Sequence, residues 1–180
     1  MKTRQISTVD DRISLLDLDA MANPSDKVSE CEYFLRLASS EPDRQHFRWL
    51  VSAFLSAAHS YFDISAVRAY IGFTNPETGA SMENSEAVEV LRPYVKVTPG
   101  SKKDPGHVNT KATHEITEQL YKLRHGNTHR FPLSILTTAE NFPEDFQFGN
   151  ITGEGIPVLR FCRETMCLIR KVERELQRYF

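Results

Sequence analysis

The chain has 180 residues, of which 40% are hydrophobic, and its 22 Lys and Arg against 24 Asp and Glu give a formal net charge of −2. This near-neutral balance excludes a protein that coats nucleic acid along its whole surface, so any contact with RNA or DNA must be local. The length predicts one domain over residues 1–180, which can bury roughly 70% of the unfolded chain's surface without a disulfide or a metal.

The cysteines and the amino-terminal segment indicate a cytoplasmic protein. Cys31, Cys162 and Cys167 lack CxxC spacing, and the first two fall on apolar helical stripes, which favours reduced core cysteines over a disulfide framework. Asp10 and Asp11 interrupt what would have to be the apolar core of a signal peptide. Since no apolar run approaches the roughly 18 residues of a membrane span, we expect no membrane partner.

The first half of the chain predicts two helices. Residues 1–22 are mixed and polar and indicate an amino-terminal arm or a short strand. Asn23-Pro24-Ser25-Asp26 is a helix-start signal, and apolar residues then recur at helical spacing through Ser39. Ser40-Glu41-Pro42-Asp43 has the spacing of a capping box before a second helix, expected from Phe47 to about Ile71. Its apolar face and its rows of small residues predict the central helix of a bundle.

Irregular segments separate the remaining predicted helices. Residues 74–109 contain four prolines and are interpreted as an insertion over one end of the bundle, with a short helix from Asn84 to Leu91. A further helix is predicted from Thr110 to Leu123, followed by the helix-stop pair Gly126-Asn127.

The last part of the chain predicts an irregular connection and a final helix. Residues 130–156 include a possible strand at Phe146 to Phe148. The final helix is expected from Val158 to Phe180, with an apolar face that includes Cys162 and Leu176. The predicted architecture is therefore all-α, a bundle of four to five helices with irregular insertions.

Positive charge is concentrated in one segment. Between Lys122 and Arg130, five of nine residues can carry a positive charge. Such a concentration attracts phosphates, and imidazoles can move protons near neutral pH. Because Gly126-Asn127 is expected to end the helix, the sequence predicts Arg124 and His125 in its last turn and His129 beyond the break.

This segment resembles the signature of the HEPN superfamily (higher eukaryotes and prokaryotes nucleotide-binding domains). That signature is an Arg, a polar residue, a short spacer and a His, which Arg124 to His129 matches. Glu32 to Leu35 and Phe47 to Ala58 also resemble helices of HEPN-like bacterial proteins. The resemblance implies a dimeric helical bundle and, in active members, a metal-independent endoribonuclease. Phe131 stands where some toxin members have a Tyr that a partner enzyme modifies, so that form of control is not implied.

The chemistry needed for RNA cleavage agrees with these residue types. Attack by the 2′-hydroxyl requires a base, an acid for the leaving 5′-oxygen, and cations around the phosphorane. Arg124 offers a permanently charged fork for phosphate oxygens, His129 titrates in the useful range, and His125 can orient Arg124 or contact phosphate. We therefore predict Arg124, His125 and His129 as catalytic residues of a toxin or defence-type ribonuclease without a cofactor. The expected partners are RNA, a second copy of the chain and an antitoxin or regulatory protein.

Two other functions fit the same residues. A non-catalytic HEPN-like module that binds nucleotides, RNA or protein would need Arg124 and His125 only for capping or pairing. A zinc site is the second, because His125 and His129 are four residues apart. It would require an unbroken helix through Gly126-Asn127 and a third ligand such as His107 or His114.

Overall fold

The computed structural model describes most of the bundle. The described residues are 23–72, 86–95, 113–129, 132–137, 142–149 and 155–179, without the side chains of residues 67, 70–72 and 127–129. The expected amino-terminal arm and most of the expected 74–109 insertion lie outside them.

Five helices and a very small sheet make up the described part of the chain, which confirms the all-α fold. The helices are α1 (Pro24–Ala38), α2 (Arg44–Gly72), α3 (Glu86–Leu91), α4 (Glu115–His129) and α5 (Val158–Leu176). Strands β1 (Ile135–Leu136) and β2 (Gln147–Phe148) pair antiparallel, and a 3₁₀ helix (Pro143–Asp145) lies between them. None of these helices is long and apolar enough to span a membrane.

The first and last helices agree closely with their sequence signals. The side chain of Asn23 accepts the backbone N–H of Ser25 at 3.0 Å and caps α1, which continues to Ala38. Helix α5 begins at Val158 as predicted and ends at Leu176, before the chain terminus. The predicted apolar face of α5 is buried, with the residues Val158, Cys162, Met166, Ile169, Val172 and Leu176.

Helix α2 starts at a different cap from the predicted one. The Asp43 carboxylate accepts the backbone N–H groups of Gln45 and His46 at 2.9 and 2.8 Å, so Asp43 alone caps the helix. The Ser40 hydroxyl instead donates to the carbonyl of Leu37 at 3.2 Å and belongs to the end of α1. The predicted capping box is therefore wrong, because Ser40 belongs to the turn that ends α1 and does not cap α2.

Helix α4 corrects the predicted break at Gly126-Asn127. The helix begins at Glu115 and continues through Gly126 to His129. Gly126 does not adopt the left-handed conformation that makes glycine a helix stop; in the described part of the chain only Gly155, with φ of 79°, does. A glycine inside a helix costs about 1 kcal/mol relative to alanine, a cost that the burial of Leu120 and Leu123 can offset.

Contacts between rings and strands show how the helices are oriented. The Phe47 ring packs edge-on against Phe146 at 4.7 Å, and the Phe146 carbonyl accepts the N–H of Val158 at 2.9 Å. The starts of α2 and α5 therefore lie at the same end of the bundle. Helix α4 is antiparallel to α2, since His59 contacts Tyr121 while the start of α2 lies beside residues 132–135. We call this end, with the start of α2, the end of α4 and the two strands, the motif end.

The core is rich in aromatic residues and is continuous through the bundle. Its fully buried rings include Phe47, Phe54, Tyr61, Phe62, Phe146 and Phe148. Each buried side chain of this size contributes roughly 1.5–3 kcal/mol to the free energy of unfolding. Cys31 and Cys162 are buried free thiols within this core, as predicted, and Cys167 is exposed on α5.

Candidate functional site

The predicted site residues lie on the carboxyl-terminal half of α4. Arg124 is partly exposed and His125 is exposed, and each takes part in an interaction within the chain. The neighbouring Leu123 is fully buried and fixes this part of the helix on the core. The backbone of His129 forms the last helical position, and its side chain lies outside the described residues.

The continuous helix changes the predicted relation between the three site residues. The last turn of α4 comprises residues 126–129, so the placement of Arg124 and His125 in the last turn, with His129 beyond a break, is wrong. Positions 125 and 129 are one turn apart on one side of the helix. Positions 124 and 129 differ by roughly 140° around the helix axis and by about 7.5 Å along it. The structure therefore brings positions 125 and 129 onto one side of α4 and places Arg124 on a different side from position 129.

The same geometry weakens the zinc alternative. The unbroken helix meets one of its two conditions. His114, however, precedes His125 by eleven residues, roughly 16 Å along the helix, whereas zinc bonds to imidazole are about 2 Å long. His114 is therefore not a third ligand, and His107 lies outside the described residues. Among the residues that the structure describes, no group of three His, Cys, Asp or Glu could hold a metal.

An aromatic contact fixes α4 on the central helix one turn before the site. The His59 ring lies edge-on to the Tyr121 ring with centroids 4.6 Å apart. His59 is itself held on α2, because its Nδ1 lies 2.8 Å from Oδ2 of Asp63. Tyr121 is three and four residues before Arg124 and His125, the spacing of neighbours on a helix surface. The contact therefore determines where both site residues stand relative to α2.

A groove of about 420 Å³ lies at the motif end, along the segment that follows α4. Arg44, Gln45 and Arg48 from the start of α2 form one wall, and residues 132–135, which follow α4, form the other. The sequence interpretation missed this pair of arginines. Their spacing of four residues at a helix start was the available signal, but the apolar face of α2 dominates the pattern there.

Three of the five cationic side chains of α5 are paired with acids. This helix also borders a shallow cavity of about 660 Å³, which His114 and Leu168 help to line. The ion pairs on α5 are Arg160 with Glu164, Arg163 with Glu144, and Arg170 with Glu32. Because these arginines already have carboxylate partners, the positive excess of α5 is better explained as a solvated face than as a ligand surface.

Comparisons with protein-family models, with curated proteins and with solved structures give no match to this chain. The findings therefore rest on the structure, an all-α bundle with Arg124, His125 and position 129 in the last part of one continuous helix.

Proposed function

We propose that the chain is a HEPN-like, metal-independent endoribonuclease of the toxin or defence type, acting as a homodimer. The observation that carries the proposal is the position of Arg124 and His125, both reaching solvent at the motif end within one and a half turns of position 129. A cation and two histidine positions on a short length of helix supply the residue types that cleavage through the 2′-hydroxyl needs.

The proposed reaction uses these groups in distinct roles. One imidazole removes the proton from the ribose 2′-hydroxyl, whose oxygen attacks the adjacent phosphorus. A second histidine, which starts as imidazolium, donates a proton to the 5′-oxygen as the P–O bond breaks, which leaves a 2′,3′-cyclic phosphate. Arg124 stabilises the negative charge on the phosphorane through its planar fork. In this proposal the imidazoles carry both protons and Arg124 supplies the positive charge that a metal ion would otherwise supply.

A homodimer supplies the second imidazole in this proposal. The motif contributes one histidine at position 129 per chain, and a two-fold axis beside α4 would bring two copies of it to one phosphate. An antitoxin or regulatory protein would then act by covering the motif end or by preventing dimer formation. The alternative is a binding module without catalysis, and the experiment must distinguish it from the ribonuclease.

The direct test is cleavage of a labelled single-stranded RNA by the purified full chain. Arg124→Ala and His129→Ala should each lower the cleavage rate by at least a hundredfold, with circular dichroism unchanged. Arg178→Ala, an exposed arginine on α5's carboxyl-terminal side, is the matched control and should cleave as the wild type does. Cleavage should survive a chelator and stop when the ribose at the cut is replaced by deoxyribose.

Mixed dimers test whether two copies share one site. When wild-type and His129→Ala chains are mixed, activity should follow the square of the wild-type fraction if both copies supply an imidazole. A linear dependence would contradict a shared site. RNA binding without cleavage, together with no effect of expression on cell growth, would replace the nuclease by the binding module.

A further inference from the structure

We infer that the groove between the start of α2 and residues 132–135 binds a phosphodiester of the RNA strand, next to the position that is cut. This inference rests on the proposed function, from which it takes RNA as the substrate class. It adds a binding site for the strand outside Arg124, His125 and His129, and it assigns that site to Arg44 and Arg48.

The two arginines have the spacing and the exposure that phosphate binding requires. They are four residues apart, one turn of α2, so both stand on the same side of the helix. Arg44 is exposed and Arg48 is partly exposed at the groove. Within the described ranges, neither forms an ion pair with a carboxylate, in contrast to Arg160, Arg163 and Arg170 of α5. A guanidinium can bind two phosphate oxygens at once.

The opposite wall of the groove is held in place by the core and the small sheet. The side chains of Leu133 and Ile135 are buried, and Ile135 pairs with Phe148 across the two strands. The Ser134 carbonyl accepts the N–H of Gly149 at 2.9 Å, while the Ser134 side chain is exposed on the groove. The wall formed by residues 132–135 is therefore anchored to the core, and Ser134 gives it a polar side chain at the groove.

The amino-terminal end of α2 does not itself provide this site. The Asp43 carboxylate already accepts the backbone N–H groups of Gln45 and His46. The hydrogen bond from the His46 backbone lowers the pKa of this carboxyl most, and the charge of Arg44 lowers it further. Asp43 is thus ionised and occupies the free N–H groups that an anion would otherwise use. The attraction for phosphate comes from the guanidinium groups of Arg44 and Arg48.

Two lengths place the groove beside the motif. Positions 129 and 132 are three residues apart and so at most about 11 Å from each other. From the contact of His59 with Tyr121, Arg48 lies roughly 16 Å along α2 and position 129 roughly 12 Å along α4, in the same direction. A strand advances about 3.4 Å per nucleotide in a duplex and further when extended, so the groove lies within roughly three nucleotides of the motif.

The binding test uses a fluorescent, fully 2′-O-methylated RNA 12-mer, which cannot be cut through its 2′-oxygen, with the full chain. Arg44→Gln with Arg48→Gln should weaken binding at least tenfold and flatten its salt dependence, by about 0.7 in slope for each phosphate that is no longer neutralised. The matched control is Arg174→Gln with Arg178→Gln, two exposed arginines four apart at the other end of the bundle. The inference is overturned if both double variants bind alike.

Cleavage assays separate this inference from the proposed function. A ribodinucleotide is too short to reach the groove, so the Arg44/Arg48 variant should cut it at the wild-type rate while KM for a long RNA rises. If the wild type cuts no RNA but the 12-mer still depends on Arg44 and Arg48, the nuclease proposal fails and the groove stands. If the long RNA is cut and bound equally by both variants, the groove fails and the nuclease stands.

Free inorganic phosphate is the other anion with the chemistry that Arg44 and Arg48 recognise. Inorganic phosphate should displace the 12-mer only at concentrations far above those of RNA, because one anion occupies one of several phosphate positions. If phosphate instead raises Tm at micromolar concentrations through Arg44 and Arg48, with no effect of the variant on RNA binding, the groove is a site for a free anion and the inference is wrong.

Discussion

His59 on α2 and Tyr121 on α4 meet edge-to-face, with ring centroids 4.6 Å apart, one helical turn before Arg124 and His125. This contact couples the arginine-bearing side of the central helix to the helix that carries the predicted site. Removing this contact should therefore lower the free energy of unfolding and change the position of the site residues.

A double-mutant cycle tests this coupling. His59→Ala and Tyr121→Ala should each lower the free energy of unfolding, and together they should lower it by less than their sum, by about 0.5–1.5 kcal/mol. Urea denaturation measures all four forms. The control is the more exposed ring pair of His46 and Trp49 within α2, 5.2 Å apart, whose coupling should be smaller. Equal coupling in both pairs would contradict a special role for the helix-to-helix contact.

Substitution of Gly126 tests the continuity of α4. Gly126→Ala should raise the free energy of unfolding by about 0.5–1 kcal/mol, because alanine favours the helix and a Cβ at this position has nothing within 4 Å. Thermal denaturation gives the sign. Gly155→Ala, at a φ of 79°, should instead destabilise the protein. A destabilising Gly126→Ala would mean that the chain turns at Gly126, as the sequence pattern predicted.

Thiol labelling tests the burial of the cysteines. Burial raises the pKa of Cys31 to about 12 and raises that of Cys162 further, so both thiols stay protonated at pH 8 and cannot react as thiolates. Exposed Cys167 should react with iodoacetamide at pH 8, and mass spectrometry should find one adduct on the native chain. Three adducts should appear in 6 M guanidinium chloride. A native adduct on Cys31 or Cys162 would show that the core opens more readily than its packing indicates.

The ion pair between Glu144 and Arg163 should stabilise the motif end in a pH-dependent way. The hydrogen bond from Arg163, at 2.9 Å between Nη1 and Oε2, lowers the pKa of the Glu144 carboxyl. Because this pKa is lower in the folded than in the unfolded chain, the contribution is present above pH about 4.3 and is lost as the pH falls through the lower folded value.

The matching measurement compares Glu144→Gln with the wild type in urea at several pH values. The exposed pair should contribute less than about 1 kcal/mol near pH 7, and the difference should shrink toward zero near pH 3. Lys171→Gln, which removes an exposed cation of α5, serves as the control. A difference that grows on acidification would contradict this account.

The sequence predicts some of these features and misses others for identifiable physical reasons. Asn23 correctly predicted the start of α1, and the apolar stripe correctly predicted the buried face of α5. Both succeed because a cap and a 3.6-residue period are local properties of the chain. The end of α4 was missed because glycine is common at helix ends, and the burial of Leu123 outweighs that preference here. The groove was missed because it joins Arg44 to residues 132–135, about ninety positions later, and no local pattern specifies that approach.

The antiparallel arrangement of α2 and α4 sets two opposite partial charges side by side at the motif end. The first turn of α2 is electropositive and the last turn of α4, which ends at position 129, is electronegative. Because the Asp43 carboxylate already caps the first turn of α2, an acidic strand meets the charges of Arg44 and Arg48 there and not free N–H groups. Attraction of a polyanion to this end of the bundle thus resides in side chains, which substitution can remove one at a time.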